Sequence, residues 1–286
     1  EAYMNTVTLY PAWQNLRLIP GNMKDAEYCM RITKDQDIVM NLAALVGGVQ
    51  YNSTHPATLF RENLGIFMNT LEAARQNNVE RFLTVSSACV YARDASIPAP
   101  EEEGFKGFPE KANESYGMSK RMQEYLSMKY AEEYGMKIAI ARPFNTYGPR
   151  DKFDPKMSHV IPGLIKRVVD GENPLKVWGD GKQTRSFIYI SDFVEGLMLT
   201  AEKYAVADPL NIGSDEEITI GDLSQHIIDI AGTKATIEFD TTKPTGQPRR
   251  TCDTRKAYKE TGFQAKVSIK EGLEKTIDWY LKHGKA

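Results

Sequence analysis

Apolar runs of strand length alternate with longer stretches of helical spacing through the first half of this chain. That alternation restricts the fold more than any other feature of the sequence. Leu16-Arg17-Leu18-Ile19 reads as a short strand closed by Pro20-Gly21, and residues 37–42 as a second, followed by Ala43-Ala44 and the turn pair Gly47-Gly48. Residues 61–76 have helical spacing, with Leu64, Phe67, Met68 and Leu71 on one face. Residues 81–85 form a third strand pattern, 116–134 a long helix and 137–141 a fourth strand. Strands alternating with helices of this length predict an α/β protein built on a doubly wound parallel sheet covered on both faces.

After Tyr147-Gly148-Pro149 the alternation becomes irregular. Helices are expected over 159–170, 193–202, 220–230 and 269–283, and short strands over 187–190 and 236–239. With no Ser/Pro-rich linker between them, residues 1–150 read as the sheet domain. Residues 151–286 read as a smaller α/β lobe packed on it, with segments that can return to the sheet.

The chain has 286 residues, with 36 lysines and arginines against 38 acidic residues, a formal charge of -2. That balance provides no electrostatic footprint for nucleic acid and no polybasic membrane patch. Hydrophobic residues make up 41%, which excludes disorder. No stretch has the length of a membrane span and the start lacks a signal-peptide layout. Three scattered cysteines, Cys29, Cys89 and Cys252, make neither a C-x-x-C motif nor a disulfide scaffold, so a cytoplasmic location is expected.

Tyr116-Gly117-Met118-Ser119-Lys120 sets a tyrosine and a lysine four apart on one helix face. A free phenol titrates near ~10, and an adjacent ammonium lowers that value. Ser86-Ser87 follows a strand end, where parallel α/β sheets bind ligands. A serine, a tyrosine and a lysine together make a proton relay for alcohol–ketone interconversion beside a hydride carrier.

The order strand, Ser-Ser, Y-x-x-x-K, strand, Arg-Pro-x-Asn resembles the extended short-chain dehydrogenase/reductase (NAD-dependent epimerase/dehydratase) family, from about Asn15 to the end of the chain. The resemblance implies a Rossmann-like fold, an NAD or NADP cofactor, a nucleotide-diphosphate sugar substrate and a homodimer formed through helices 61–76 and 116–134. It places Ser87, Tyr116 and Lys120 on the catalytic triad. It assigns Asn22, Met23, Leu42, Ala43, Ala44, Asn63, Pro143 and Asn145 to the cofactor together with Tyr116 and Lys120. The family's opening G-x-x-G-x-x-G loop, which holds the pyrophosphate, has no counterpart in this sequence. One βαβ unit of roughly 30 residues is therefore expected beyond a truncated start, the alternative being a natural variant that does not hold cofactor.

Within the family, Val46-Gly47-Gly48, Cys89 and Ser158-His159-Val160-Ile161-Pro162 resemble the GDP-L-fucose synthase and GDP-mannose 3,5-epimerase branches. The implied roles are proton transfer at C3 and C5 for Cys89 and His159. Contact with the nucleotide sugar is implied for Val46, Gly47, Ser87, Asn145, His159, Arg167, Trp178, Arg185 and Arg249. Guanidinium groups suit a diphosphate because their planar donors bind in pairs. The expected reaction is 3,5-epimerisation followed by NADPH-dependent 4-reduction of a GDP-4-keto-6-deoxyhexose. An NAD-retaining epimerase without net redox, or a non-catalytic NAD(P)-sensing protein of the same fold, are the alternatives. No metal is called for.

Overall fold

In a computed structural model, the protein is described over residues 17–47, 49–154, 158–243 and 247–284. Residues 17–20 do not form the strand expected around Leu16–Ile19, and Leu16 itself lies outside the described residues. Leu18 and Ile19 are exposed, and the Ile19 carbonyl accepts the Tyr28 hydroxyl rather than a ladder bond. A helix that the periodicity does not announce follows, α1 (Ala26–Thr33), started by Asp25, whose carboxylate accepts the Glu27 and Tyr28 amides.

Next come β1 (Ile38–Asn41), α2 (Val49–Thr54), α3 (Pro56–Gln76), β2 (Arg81–Val85), α4 (Glu114–Tyr134) and β3 (Lys137–Pro143). Then follow β4 (Thr146–Tyr147), α5 (Val160–Val169), β5 (Leu175–Trp178), β6 (Thr184–Ser186), β7 (Ile188–Tyr189), α6 (Ile190–Lys203) and β8 (Pro209–Ile212). The last elements are β9 (Glu217–Thr219), α7 (Ile220–Ile230), β10 (Ile237–Asp240), β11 (Arg249–Arg250), α8 (Arg255–Thr261) and α9 (Ile269–His283).

The main sheet runs β1-β2-β3-β8, every pair parallel. The two-residue period of a strand sorts its side chains. Phe82, Ile138 and Ile140 pack with Phe67, Leu71 and Ala74 of α3 and with flanking residues of α4. Leu83, Ala139 and Ala141 turn the other way, against Leu197 and Ala201 of α6 and Ala257 of α8. Both faces are therefore covered, which is why these strands read as continuous apolar runs. The C-terminal residues build a further core from α5, α7 and α9 around Tyr147, Leu175, Val177 and Phe187. Small sheets accompany it: β5 with β10, β4 with β7, and β6 between β9 and β11.

Candidate active site

The C-terminal ends of β1, β2 and β3 open side by side, the edge at which parallel α/β sheets bind ligands. β2 continues through Ser86, whose amide bonds the Ala141 carbonyl at 2.7 Å. Ser87 then caps a short 3₁₀ turn, its Oγ accepting the Cys89 amide at 3.1 Å. Cys89 is half-buried, whereas Cys29 and Cys252 are buried.

α4 brings Tyr116 and Lys120 against this turn. Gly117 permits the approach, because a Cβ there would stand 2.3 Å from the Cys89 carbonyl oxygen. Lys120 Nζ donates to the Val85 carbonyl at 2.7 Å and to Gln123 Oε1 at 3.2 Å, and lies 5.8 Å from the centre of the Tyr116 ring. Burial lowers Lys120 to about 8, against the opposing charges of Glu124 and Cys89.

Tyr116 departs from expectation. Burial pushes its phenol up, and a charge on Cys89 pushes the same way, with only the bond to Ser87 opposing. The lysine is committed to Val85 and Gln123 and does not overcome desolvation. Tyr116 therefore keeps its proton around neutral pH.

Behind this group lies a polar network without counterpart in the sequence reading. Arg142 and Glu124, 1% and 0% exposed, form a two-point ion pair, Nε to Oε1 at 2.8 Å and Nη2 to Oε2 at 2.7 Å. Ser86 Oγ donates to the same Glu124 oxygen as Arg142 Nε. Arg142 Nη1 reaches the Tyr91 hydroxyl and the Glu101 carbonyl, Tyr91 donates to Asn211 Oδ1, and the Asn211 amide donates to Glu101 Oε1. The signal was present: an arginine closing the apolar run Ile138-Ala139-Ile140-Ala141 needs a buried partner, and Glu124 stands one turn beyond Lys120. Gln123 is also newly recognised, donating to the Asn63 carbonyl at 3.1 Å while accepting from Lys120.

The other expected residues fall as follows. Asn22 and Met23 lie in the turn before α1, with the Met23 carbonyl accepting from Asn69 of α3. Leu42, Ala43 and Ala44 follow β1, and the Asn41 side chain accepts the Ala43 amide. Asn63 uses both ends of its amide on the Leu45 backbone, fixing this segment from α3. Val46 is exposed, and Gly47 lies against the Tyr51 ring; Gly48 lies outside the described residues. Pro143 ends β3, and Asn145 Nδ2 donates to the Ser186 carbonyl at 3.0 Å. His159 precedes α5 and is exposed, and burial raises the nearby Asp151, with the Lys152 amide opposing.

Of the other residues expected at the nucleotide sugar, two arginines pair with carboxylates and Trp178 is exposed. Arg167 pairs with Glu172 and bonds the Lys176 carbonyl, and Trp178 is 57% exposed at the end of β5. Arg249 donates both Nε and Nη2 to Glu217. Successive residues of a strand point to opposite faces, so Arg250 turns the other way and donates to the Ala88 carbonyl at 2.6 Å. There it shares a neighbourhood with Arg185, which is lowered by burial and then by the Arg250 charge, with Glu110 opposing. Arg250 thus joins Arg185 beside the Cys89 turn, while Arg249 faces Glu217. Among the described residues no group of His, Cys, Asp and Glu could hold a metal.

A parallel sheet with a serine, a half-buried tyrosine and a buried lysine at its C-terminal edge defines an enzyme of dinucleotide-dependent carbonyl chemistry. The model of the NAD dependent epimerase/dehydratase family matches residues 4–213, and the chain belongs to that family. It is 34% identical to GDP-L-fucose synthase 1 of Arabidopsis thaliana over 86% of this chain and 77% of that one. Among solved structures it resembles a GDP-L-fucose synthetase from Naegleria fowleri bound to NADP (28% identity, TM-score 0.85, 93% and 83% of the two chains). It also resembles the UDP-glucose 4-epimerase of Thermotoga maritima (26%, TM-score 0.85, 94% and 85%). The protein is an NAD(P)-dependent enzyme.

Proposed function

We propose that this protein is a GDP-L-fucose synthase-like enzyme. It epimerises C3 and C5 of a GDP-4-keto-6-deoxyhexose and then reduces C4 with NADPH. The observation that carries this reading is the half-buried Cys89 thiol, two residues beyond Ser87 and electrostatically coupled to both Tyr116 and Lys120. A ketone reductase needs an acid at O4; only an epimerase also needs a group able to take protons from the carbons beside it.

The donor set suits the nicotinamide end of the dinucleotide. Two of the three Lys120 N–H groups go to Val85 and Gln123, leaving one for a ribose hydroxyl, with Tyr116 and the segments at Leu42–Ala44 and Pro143–Asn145 around it. When bound, NADPH supplies the hydride. Ser87 and Tyr116 hold the C4 carbonyl oxygen. Cys89 and His159 remove and return protons at C3 and C5, the electron pair passing to O4 as an enolate. Tyr116 then protonates O4 during reduction, with Lys120 holding it and the ribose in place.

The diphosphate is assigned to Arg185 and Arg250. Arg250→Ala is expected to raise KM by about 10- to 100-fold, since charged hydrogen bonds are the strong ones. Arg249→Ala, which loses only an exposed pair, should leave KM nearly unchanged. Steady-state kinetics of the two variants side by side decide the assignment, and equal effects would return Arg249 to the site.

The decisive experiment incubates the protein with GDP-4-keto-6-deoxymannose and NADPH in deuterated water. NADPH loss with deuterium at C3 and C5 is expected. Cys89→Ser should abolish the exchange and retain direct ketone reduction; unchanged exchange would remove Cys89 from the mechanism. The likeness to a 4-epimerase supports a second reading, an epimerase without net redox, which requires no added NADPH.

The outer sides of α3 and α4, where Met68 and Tyr125 are exposed, are proposed as a homodimer face, testable by light scattering. A cytoplasmic setting fits this chemistry, and no described helix is long and apolar enough to cross a membrane.

A further inference from the structure

Arg121 is 4% exposed, yet forms no ion pair among the described residues. Its guanidinium is surrounded by backbone carbonyls instead. Nε and Nη2 donate to Val90 at 2.9 and 2.6 Å, Nη2 also to Lys106 at 2.9 Å, and Nη1 to Gly107 at 2.6 Å. Its hydrogen bonds go to neutral acceptors, and burial lowers its pKa against the charge of Glu124, an expensive way to tie down a loop. What distinguishes this loop is that Val90 follows Cys89.

The Cys89 peptide is held from three sides. Its amide goes to Ser87 Oγ, its carbonyl lies against Gly117, and the next carbonyl takes two Arg121 donors. Gly117 and Arg121 sit on α4 with Tyr116 and Lys120, so one rigid helix carries the acid for O4 and also sets the position of the thiol.

We propose that Arg121 is a positioning residue for epimerisation: by clamping the Val90 carbonyl it holds the Cys89 thiol in line with the carbons beside the ketone. This rests on the reading that Cys89 moves the sugar protons. It makes epimerisation separable from reduction by a residue that touches neither substrate nor cofactor. A misplacement of about 1 Å at a reacting group is worth roughly 100-fold in rate. A lysine retains the charge but loses the planar fork that gathers these carbonyls.

The test compares full-length wild type, Arg121→Lys, Gly117→Ala and Cys89→Ser, with thermal melting to verify folding. Gly117→Ala displaces the same turn by crowding the Cys89 carbonyl, without altering any charge. The readouts are deuterium entry at C3 and C5, NADPH oxidation measured on the already epimerised ketone, and the rate at which iodoacetamide alkylates Cys89. Expected for Arg121→Lys is a loss of exchange of about 100-fold, with NADPH oxidation largely kept and alkylation several-fold faster. Should Arg121→Lys fail to fold, the same split in Gly117→Ala sustains the clamp, and its absence there overturns it. Exchange and oxidation falling in equal proportion, or neither changing, would overturn the proposal. If Cys89→Ser still exchanges, the assigned role of Cys89 fails. The alkylation rate then judges by itself whether Arg121 holds the turn.

Discussion

Replacing Arg142 by leucine is expected to destabilise the protein by about 3–5 kcal/mol, because Glu124 is left charged and fully buried without its partner. The loss reaches further than one pair. Arg142 also donates to Tyr91 and the Glu101 carbonyl, and Tyr91 and Glu101 in turn hold Asn211 of β8. For a chain of this size the fall in Tm should be roughly 6–20 °C, read by calorimetry or circular dichroism. The double variant Glu124→Leu/Arg142→Leu should recover much of the deficit, since removing both charges removes the desolvation cost with them. A single variant that melts within about 1 kcal/mol of wild type would show that the network is not a structural keystone.

The largest effect on activity is expected from Tyr116→Phe, a loss of about 10²–10⁴ in the reduction rate with substrate affinity retained. The pH dependence separates the tyrosine from the lysine. Burial raises Tyr116, so its proton is kept throughout the working range and it sets no limb. Burial lowers Lys120 to about 8, so its ammonium is present below that pH and lost above it. The reduction rate should therefore fall as pH rises through about 8, and Lys120→Arg should abolish that limb because a guanidinium stays charged. For stability the sign is opposite. The unfolded lysine, with its ordinary value of 10.5, binds more protons than the folded one between about 8 and 10.5, so this group adds stability as pH rises across that window. An alkaline limb that persists unchanged in Lys120→Arg would rule out the lysine as its source.

Local physics made much of this protein readable. The α/β class follows from runs such as Arg81–Val85 and Lys137–Pro143, whose residues are buried on both faces. The helices over Ile220–Ile230 and Ile269–His283 begin where Thr219 and Ser268 accept amides of their first turns, a signal carried by a few neighbouring residues. The pairing of Tyr116 with Lys120 needs only the pitch of a helix. Apolar composition suggests a strand at Leu16–Ile19, yet residues 17–19 form none, because a strand requires a neighbour to pair with and composition does not supply one.

Tertiary structure decided the rest. Which of Arg249 and Arg250 bonds the Ala88 carbonyl depends on the parity of a two-residue strand, and one step of register exchanges them. Whether the Tyr116 phenol is raised or lowered depends on its burial beside Cys89 and Ser87, not on its distance from a lysine along a helix. Tyr91 and Asn211 meet across 120 residues of chain, and Arg142 meets Glu124 across a strand and a helix. The sequence determined which secondary structures form and which residue types stand at the strand ends, because those follow from short-range periodicity. The partners of the buried charges, and hence the protonation states available for chemistry, were decided only where distant segments pack and exclude water.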